Sequence, residues 1–488
     1  MTRMTETLDP GIPKGKIFRV GTLSYNKASL FSLFLWLLLG DFCLILVAWT
    51  AVPAVLQVNL NQMGASNWVL GLILTTIPNL LNVVVNPVAS FRSDRYRSRW
   101  GRRIPFLLVA TLPLTLFLGL IGFSRQIGSA LHALIHPGAT ELGLTLVVVG
   151  VLVFGFQFFN MIVSSVYYYV FNDVVPTEVL SRFMSLLRIV SVLAGAVFNW
   201  FFLKYAGTHM TAIFLIAAGL YGIAFLLMCW RVKEGQYPPP PPNSGGRQGF
   251  VAGTRTYFEE CFSFRFYWLF FLTNTCYTLT AAAAGFNILQ ARAVGVDLDF
   301  FGKTTGIAAV VGAVLMYPAG ILSDRFHPLR MVIVATVALM LVQPLWVLFL
   351  FFDFSPSIAH GLFIAITAVA TPAVSLYMAA ELPFYIRILP KERFGQFCSA
   401  NAMVRSFALI IGGLVLGWAI DRLAIFFPAK DYCYRFVAIW TLGSLAASLF
   451  FLLRLHTAWK KLGGVAAYTP PEVGNAATPV SSNPVLSS

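Results

Sequence analysis

Charged and amide side chains set inside long apolar runs are the residues of this chain that can do chemistry. Asp41 lies in the middle of the first such run, which begins near Leu30. A carboxylate there is costly unless it faces a cavity or a partner. It can take up a proton and so couple movement to a proton gradient. Arg188 shares a helical stripe with Ser191, Gly195 and Asn199, at spacings of three, four and four. An ion pair between Arg188 and Asp41 across a cavity would offset the cost of burying either charge; snorkelling of Arg188 to the interface is the plainer alternative. Thr75, Asn79, Asn82 and Asn86 fall on one face of the second run, and Gln157, Asn160, Ser164, Tyr168 and Asn172 repeat the pattern in the fourth. The second half is sparser, with Asn274, Tyr277, Asn287 and Gln290, then Glu381 and Arg405 as a gate pair or a binding pair. The substrate-binding candidates are Asp41, Arg188, Asn79, Asn82, Asn160, Tyr168, Asn172, Asn274 and Tyr277, with Asp41 also the coupling candidate. Interhelical hydrogen bonding explains each amide almost as well. Trp49, Tyr167, Tyr168 and Tyr277 could supply aromatic faces to the C–H surfaces of a solute.

These residues need elements that hold them inside a bilayer. Of 488 residues, 58% are hydrophobic and 11% charged, with a mean hydropathy of +0.78. A soluble domain of that composition would expose a vast apolar surface. Lipid removes that problem but makes the backbone bond internally, which leaves helices or closed barrels. The apolar runs are continuous rather than alternating, so the fold class expected is all-α, a polytopic membrane protein. The net charge of +15 sits in short loops between runs, which excludes a nucleic-acid partner and fits the bias of positive charge toward the cytoplasmic side. The six cysteines are scattered, so no metal site or structural disulfide is expected. No nucleophile–base or metal-ligand spacing appears in the loops, so neither an enzyme nor a cofactor is expected.

A span needs about 20 apolar residues. Runs begin near Leu30, Val69, Ile104, Leu142, Phe183 and Thr211, and again near Phe266, Thr304, Met331, Ile358, Phe397 and Phe436. This predicts twelve transmembrane helices in two six-helix bundles, residues 28–232 and 266–455. A cytoplasmic segment, 1–27, precedes them, a Pro/Gly-rich cytoplasmic linker, 233–265, joins them, and a disordered cytoplasmic tail, 456–488, follows. The halves repeat each other. Ser93-Asp94-Arg95 follows the second run and Ser323-Asp324-Arg325 the eighth, while Val174 to Ser185 echoes Ile388 to Ser399. Parallel repeats of this size are a transporter architecture. The loop holding Arg95, Arg97, Arg99, Arg102 and Arg103 places that end, and both termini, in the cytoplasm of a cell whose plasma membrane the chain spans.

Ser93 to Phe106 resembles the loop 2–3 signature of the major facilitator superfamily. The core from Arg97 to Gly101 resembles the glycoside–pentoside–hexuronide symporters and the related sucrose carriers, and Gly40-Asp41-Phe42 is similar to helix I of the melibiose carriers. The resemblance implies secondary active transport of a sugar or glycoside by alternating access, with a proton as coupling ion. It implies that Asp41 accepts sugar hydroxyls and that Arg188 resembles the substrate-binding arginine of helix V. A conformational latch is also implied, with Asp94 reaching an arginine or a helix N-terminus of the opposing half. Arg95, Arg99, Gly101, Arg102, Glu178 and Arg182 act with it, as do Asp324, Arg325 and Glu392 in the second half. Asn82 and Asn86 stand where the melibiose carriers have two cation-binding carboxylates. Asparagine cannot carry that charge, so a sodium site is not expected. The rival readings are an uncoupled facilitator, a carrier of another small polar solute, and a non-transporting membrane sensor.

Overall fold

The computed structural model describes residues 17–135, 140–236, 259, 261–427 and 431–471, without the side chains of residues 91, 135, 181, 392 and 466. Among the described residues, eleven helices are long and apolar enough to cross a membrane: Lys27–Gln62, Asn67–Arg95, Ile104–Gly122, Glu141–Val174, Thr177–Tyr205, Met210–Arg231, Leu298–Phe326, Pro328–Leu350, Pro356–Ile388, Phe394–Phe426 and Tyr432–Lys461. They are spans one to six and eight to twelve. The seventh span is broken into Arg265–Thr278, Thr280–Ala284 and Asn287–Ala293, interrupted at Leu279 and around Gly285. Eleven unbroken helices and this broken one make up the expected twelve.

Local chemistry explains the ends and the irregularities. Span one starts at a capping box, in which Asn26 and Ser29 exchange side-chain-to-backbone hydrogen bonds of 2.8 and 2.9 Å. Ahead of it lies a short hairpin, Phe18–Val20 against Leu23–Tyr25, turning at Gly21 with φ +54°. Spans one and two each contain a widened π segment, Ile45–Ala51 and Leu72–Thr76. Pro53 and Pro78 follow these segments, and a proline has no N–H for the preceding turn and crowds its carbonyls. Thr50 Oγ1 donates back to the Ile45 carbonyl at 3.0 Å.

The core of the first half runs on into residues of spans seven, eleven and twelve, further clusters lie within the second half, and the repeat is visible in the packing. Span three lies against spans four and six, as span nine lies against ten and twelve. The halves are tied together at the end away from the Arg-rich loop. There the carboxylate of Asp421 accepts the backbone N–H of Asn67 and Trp68 and the Asn67 amide, at 2.8 to 2.9 Å, capping the start of span two from span eleven. Glycines let the backbones touch: a Cβ at Gly71 would overlap the Gly413 carbonyl, and one at Gly417 the Asn67 carbonyl. Asn61 bonds Tyr434 at 2.7 Å, and Gly302 of span eight lies against the Asn199 carbonyl of span five.

One expected boundary shifts. Span twelve continues past residue 455 to Lys461 because its apolar face continues, with Leu455 and Trp459 buried. The chain then folds back, and Tyr468 Oη donates to the Ile388 carbonyl (2.7 Å) and Tyr267 Oη to that of Pro471 (2.8 Å). The start of the expected tail is therefore packed, while residues 472–488 and most of the expected linker fall outside the described residues.

Candidate functional site

A cavity of about 760 Å³ lies between the halves, walled mainly by spans one, two and four, with contributions from Asn199 of span five and Asn287 of the broken span. The polar positions on its wall follow from the helix irregularities and the stripes. The π turns place Trp49, Thr50 and Thr75 there, and the span-two stripe adds Asn79, Asn82 and Asn86. Span four supplies Ser164 and Tyr168, as expected, and also Ser165 and Tyr169, which spacing alone did not single out. No Asp, Glu, Lys, Arg or His lines this cavity among the described residues. Amides and hydroxyls donate and accept, so the wall suits a neutral solute rich in hydrogen-bonding groups.

Part of that capacity is unused within the protein. Asn79 donates to the Thr75 carbonyl at 2.8 Å, and Asn86 to Asn82 Oδ1 at 3.2 Å. Asn86 Oδ1 and Gln57 Nε2 have no protein partner. In an adjoining cavity of about 200 Å³, Asn160 donates to Gln157 at 3.3 Å and leaves its own oxygen unpaired. Buried polar atoms without partners are where a solute or water can bond.

Asp41 sits behind this wall, fully buried. Ser191 Oγ donates to it at 2.5 Å, and Tyr168 Oη at 3.4 Å. Tyr168 thus touches both the carboxylate and the cavity. Neighbouring Tyr167 bonds the Leu37 carbonyl and lies against Gly40, where a Cβ would meet the ring oxygen at 3.1 Å. Gly40 therefore lets spans one and four approach closely enough to enclose Asp41. The expected Asp41–Arg188 ion pair does not form. Arg188 is exposed and acts on Asp41 only through its field, because its stripe turns Ser191 to the carboxylate instead. The rest of that stripe reads as expected: Gly195 lies next to Thr50, and Asn199 reaches the cavity.

Three other substrate candidates lie away from this wall. Asn172 is exposed near the end of span four. Asn274 is buried, bonded to the Phe270 carbonyl (2.9 Å) and to Tyr385 Oη (3.0 Å). Tyr277 stacks on Tyr377 with ring centroids 3.6 Å apart. They belong to a second polar cluster, in which Arg405 reaches Glu381 at 3.3 Å, Thr278 Oγ1 at 2.6 Å and Tyr385 Oη at 3.3 Å. Tyr385 also donates to Glu381 at 2.7 Å.

The Arg-rich loop carries a dense network. Asp94 pairs with Arg103 at 2.5 Å, and Arg103 also bonds Ser93 at 2.7 Å and Asp173 at 3.2 Å. Arg102 forks onto both oxygens of Asp173 at 2.5 and 2.9 Å. Glu234 accepts the backbone N–H of Arg102, Arg103 and Ile104 at 3.0, 2.8 and 2.6 Å, capping span three. Gly101 has φ +103°, and a Cβ there would run into Glu234. The expected latch of Asp94 onto the opposing half is replaced by a pair within its own half, since Arg103 is one loop away. Arg95 is half-buried, Glu178 and Arg182 are exposed, and Arg99 lies over the Trp100 ring. In the second half Asp324 is exposed and Arg325 lies over Phe326. The Glu392 side chain lies outside the described residues. Asp173 and Glu234 escaped the sequence reading, although two adjacent arginines at a helix start do call for counter-charges.

The sequence model of the Major Facilitator Superfamily matches residues 37–413. Solute carrier family 45 member 4 of Homo sapiens is 25% identical over 248 residues, 48% of this chain and 31% of that protein. Its Mus musculus counterpart is 25% identical over 221 residues, 42% of this chain and 27% of that protein. The matched stretch thus spans less than a third of either relative. Among solved structures, the nucleoside transporter NupG superposes with a TM-score of 0.59 at 14% identity, covering 88% of this chain and 98% of that one. A D-xylose-proton symporter gives 0.60 at 14% identity, covering 86% and 97%. At these identities the structural likeness shows the fold.

Proposed function

The chain belongs to the Major Facilitator Superfamily of multi-pass membrane transporters, and from that premise we propose that it carries a sugar or glycoside by alternating access, as a proton symporter. The observation that supports this most is the cavity wall of amides, hydroxyls and aromatic rings without a formal charge. Its volume of about 760 Å³ falls in the range of about 300–1,000 Å³ usual for small-molecule sites. The relatives add weight, one solved neighbour being a D-xylose-proton symporter.

In this reading the halves rock about the central cavity. The glycine contacts and the Asp421 cap close the outer end, and the cavity opens toward the Arg-rich, cytoplasmic end of a plasma-membrane protein. Asp41 exchanges the coupling proton. Ionised, it accepts from Ser191 and Tyr168; protonated, it frees the Tyr168 hydroxyl for the solute. Asn79, Asn82 and Asn160 read the sugar hydroxyls. Uptake of a panel of neutral sugars, nucleosides and charged solutes into proteoliposomes tests the substrate class. Saturable uptake of a neutral glycoside that Asn82→Ala weakens is expected; uptake of charged solutes alone would overturn it.

One observation favours an uncoupled facilitator as second reading. Asp41 is bonded within the protein and does not line the cavity.

A further inference from the structure

A second cavity, of about 700 Å³, lies at the Arg-rich end of the second half, far from the solute cavity. Its floor is formed where spans eight, ten and twelve end, and its cover is the chain that folds back after span twelve. Gly463 and Gly464, at φ +100° and +56°, make that reversal, and a Cβ on Gly463 would overlap the Ala467 carbonyl. Trp459, Tyr468 and Phe397 line the cavity. The same wall collects His327, packed against Trp459, with Arg387 from the last turn of span ten and Lys391 and Arg393 just beyond it. No Asp or Glu lines it among the described residues.

The repeat explains why the charge is left over. Val174 to Ser185 matches Ile388 to Ser399, so Arg387 occupies the position of Asp173. In the first half Asp173 holds Arg102 and Arg103. In the second half a base stands where that acid was, and neither Arg387 nor Lys391 has an ion pair among the described residues. His327 adds an unpaired, buried Nδ1, on a backbone at φ +75° that a β-carbon disfavours. Burial, with the charges of Arg387, Arg330 and His456, pushes its pKa down to about 4. Its ring is therefore neutral at physiological pH and offers a hydrogen bond.

We propose that this pocket binds a phosphate-bearing anion, with Arg387 and Lys391 supplying the charge, His327 a hydrogen bond, and Trp459 and Tyr468 an apolar flank. Clustered cations with an unpaired polar atom form the usual complement of a phosphate. A soluble phosphate ester and an anionic lipid headgroup present the same chemistry to the pocket.

The test is the thermal midpoint of the full chain in neutral detergent, at fixed ionic strength. It is read with inorganic pyrophosphate, and separately with micelles containing phosphatidylglycerol or phosphatidylcholine. The protein is compared with an Arg387→Gln/Lys391→Gln double variant and with Val465→Glu, which places a carboxylate at an exposed point of the cover. The expected result is a rise of several degrees with pyrophosphate or with phosphatidylglycerol, none with phosphatidylcholine, and loss of most of the rise in both variants. Pyrophosphate alone acting identifies a soluble phosphate, and phosphatidylglycerol alone identifies a headgroup. Should the double variant fail to fold, Val465→Glu carries the test. No rise with either anion, or an equal rise in wild type and variants, overturns the proposal and leaves these cations a purely topological role.

Discussion

The two halves descend from one repeat but handle buried charge in opposite ways. Within the first half, away from its Arg-rich end, Asp41 on span one is held by the neutral hydroxyls of Ser191 and Tyr168. In the second half the charges stand on spans ten and eleven, and Glu381 and Arg405 neutralise each other. The register of the repeat makes the exchange explicit. Six residues on from Ser185 and Ser399 lie Ser191 and Arg405, and seven back from Val174 and Ile388 lie Tyr167 and Glu381. The second half has therefore placed an ion pair where the first keeps a serine and a tyrosine. A paired carboxylate is a brace. An unpaired one, contacted by a tyrosine that also faces the solute, is placed to exchange a proton.

Removing one member of each pair should expose the difference. Arg405→Ala strands Glu381 and opens bonds to Thr278 and Tyr385, so a stability loss of about 3 kcal/mol is expected, read as a lower thermal midpoint in detergent. The Glu381→Gln/Arg405→Gln double variant should recover much of that loss, because no charge is left unpaired. A double variant no better than Arg405→Ala would contradict the brace. Asp173→Asn, at the Arg-rich end of the first half, should cost about 2 kcal/mol by releasing Arg102 and Arg103; a midpoint equal to wild type would show that Asp94 alone suffices.

These pairings show how far the sequence could be read. The twelve spans and the duplication were legible, because lipid demands continuous apolar runs and a repeat leaves matched segments. The break in span seven was less so, since Thr, Ala and Gly around Thr278 to Gly285 remain apolar enough to pass for a helix. Helical spacing put Asn79, Asn82 and Tyr168 on faces that line the cavity. Spacing defines a face without saying what the face meets, which is why Asn274 turned out to be bonded to Tyr385 and Tyr277 to be stacked on Tyr377. The closure of Asp173 and Glu234 onto the Arg-rich loop joins segments remote in sequence, beyond the reach of any local pattern.

Smaller effects refine the contrast. Ser191→Ala should cost about 1–2 kcal/mol, since a hydrogen bond to a buried carboxylate is lost, and should slow transport, whereas Ser191→Thr keeps the hydroxyl and most of the rate. Tyr168→Phe should raise the solute concentration for half-maximal uptake several-fold, for about 1 kcal/mol of lost hydrogen bonding, while leaving stability near wild type. An unchanged concentration dependence would place Tyr168 outside the solute contact.

External pH, followed while sugars are added to lightly buffered, energy-depleted cells expressing the protein, tests the central claim most directly. Alkalinisation with a glycoside, abolished by Asp41→Asn although the variant still exchanges the sugar, is the expected result. Sugar entry without any pH change, or alkalinisation that persists in Asp41→Asn, would contradict proton coupling through Asp41.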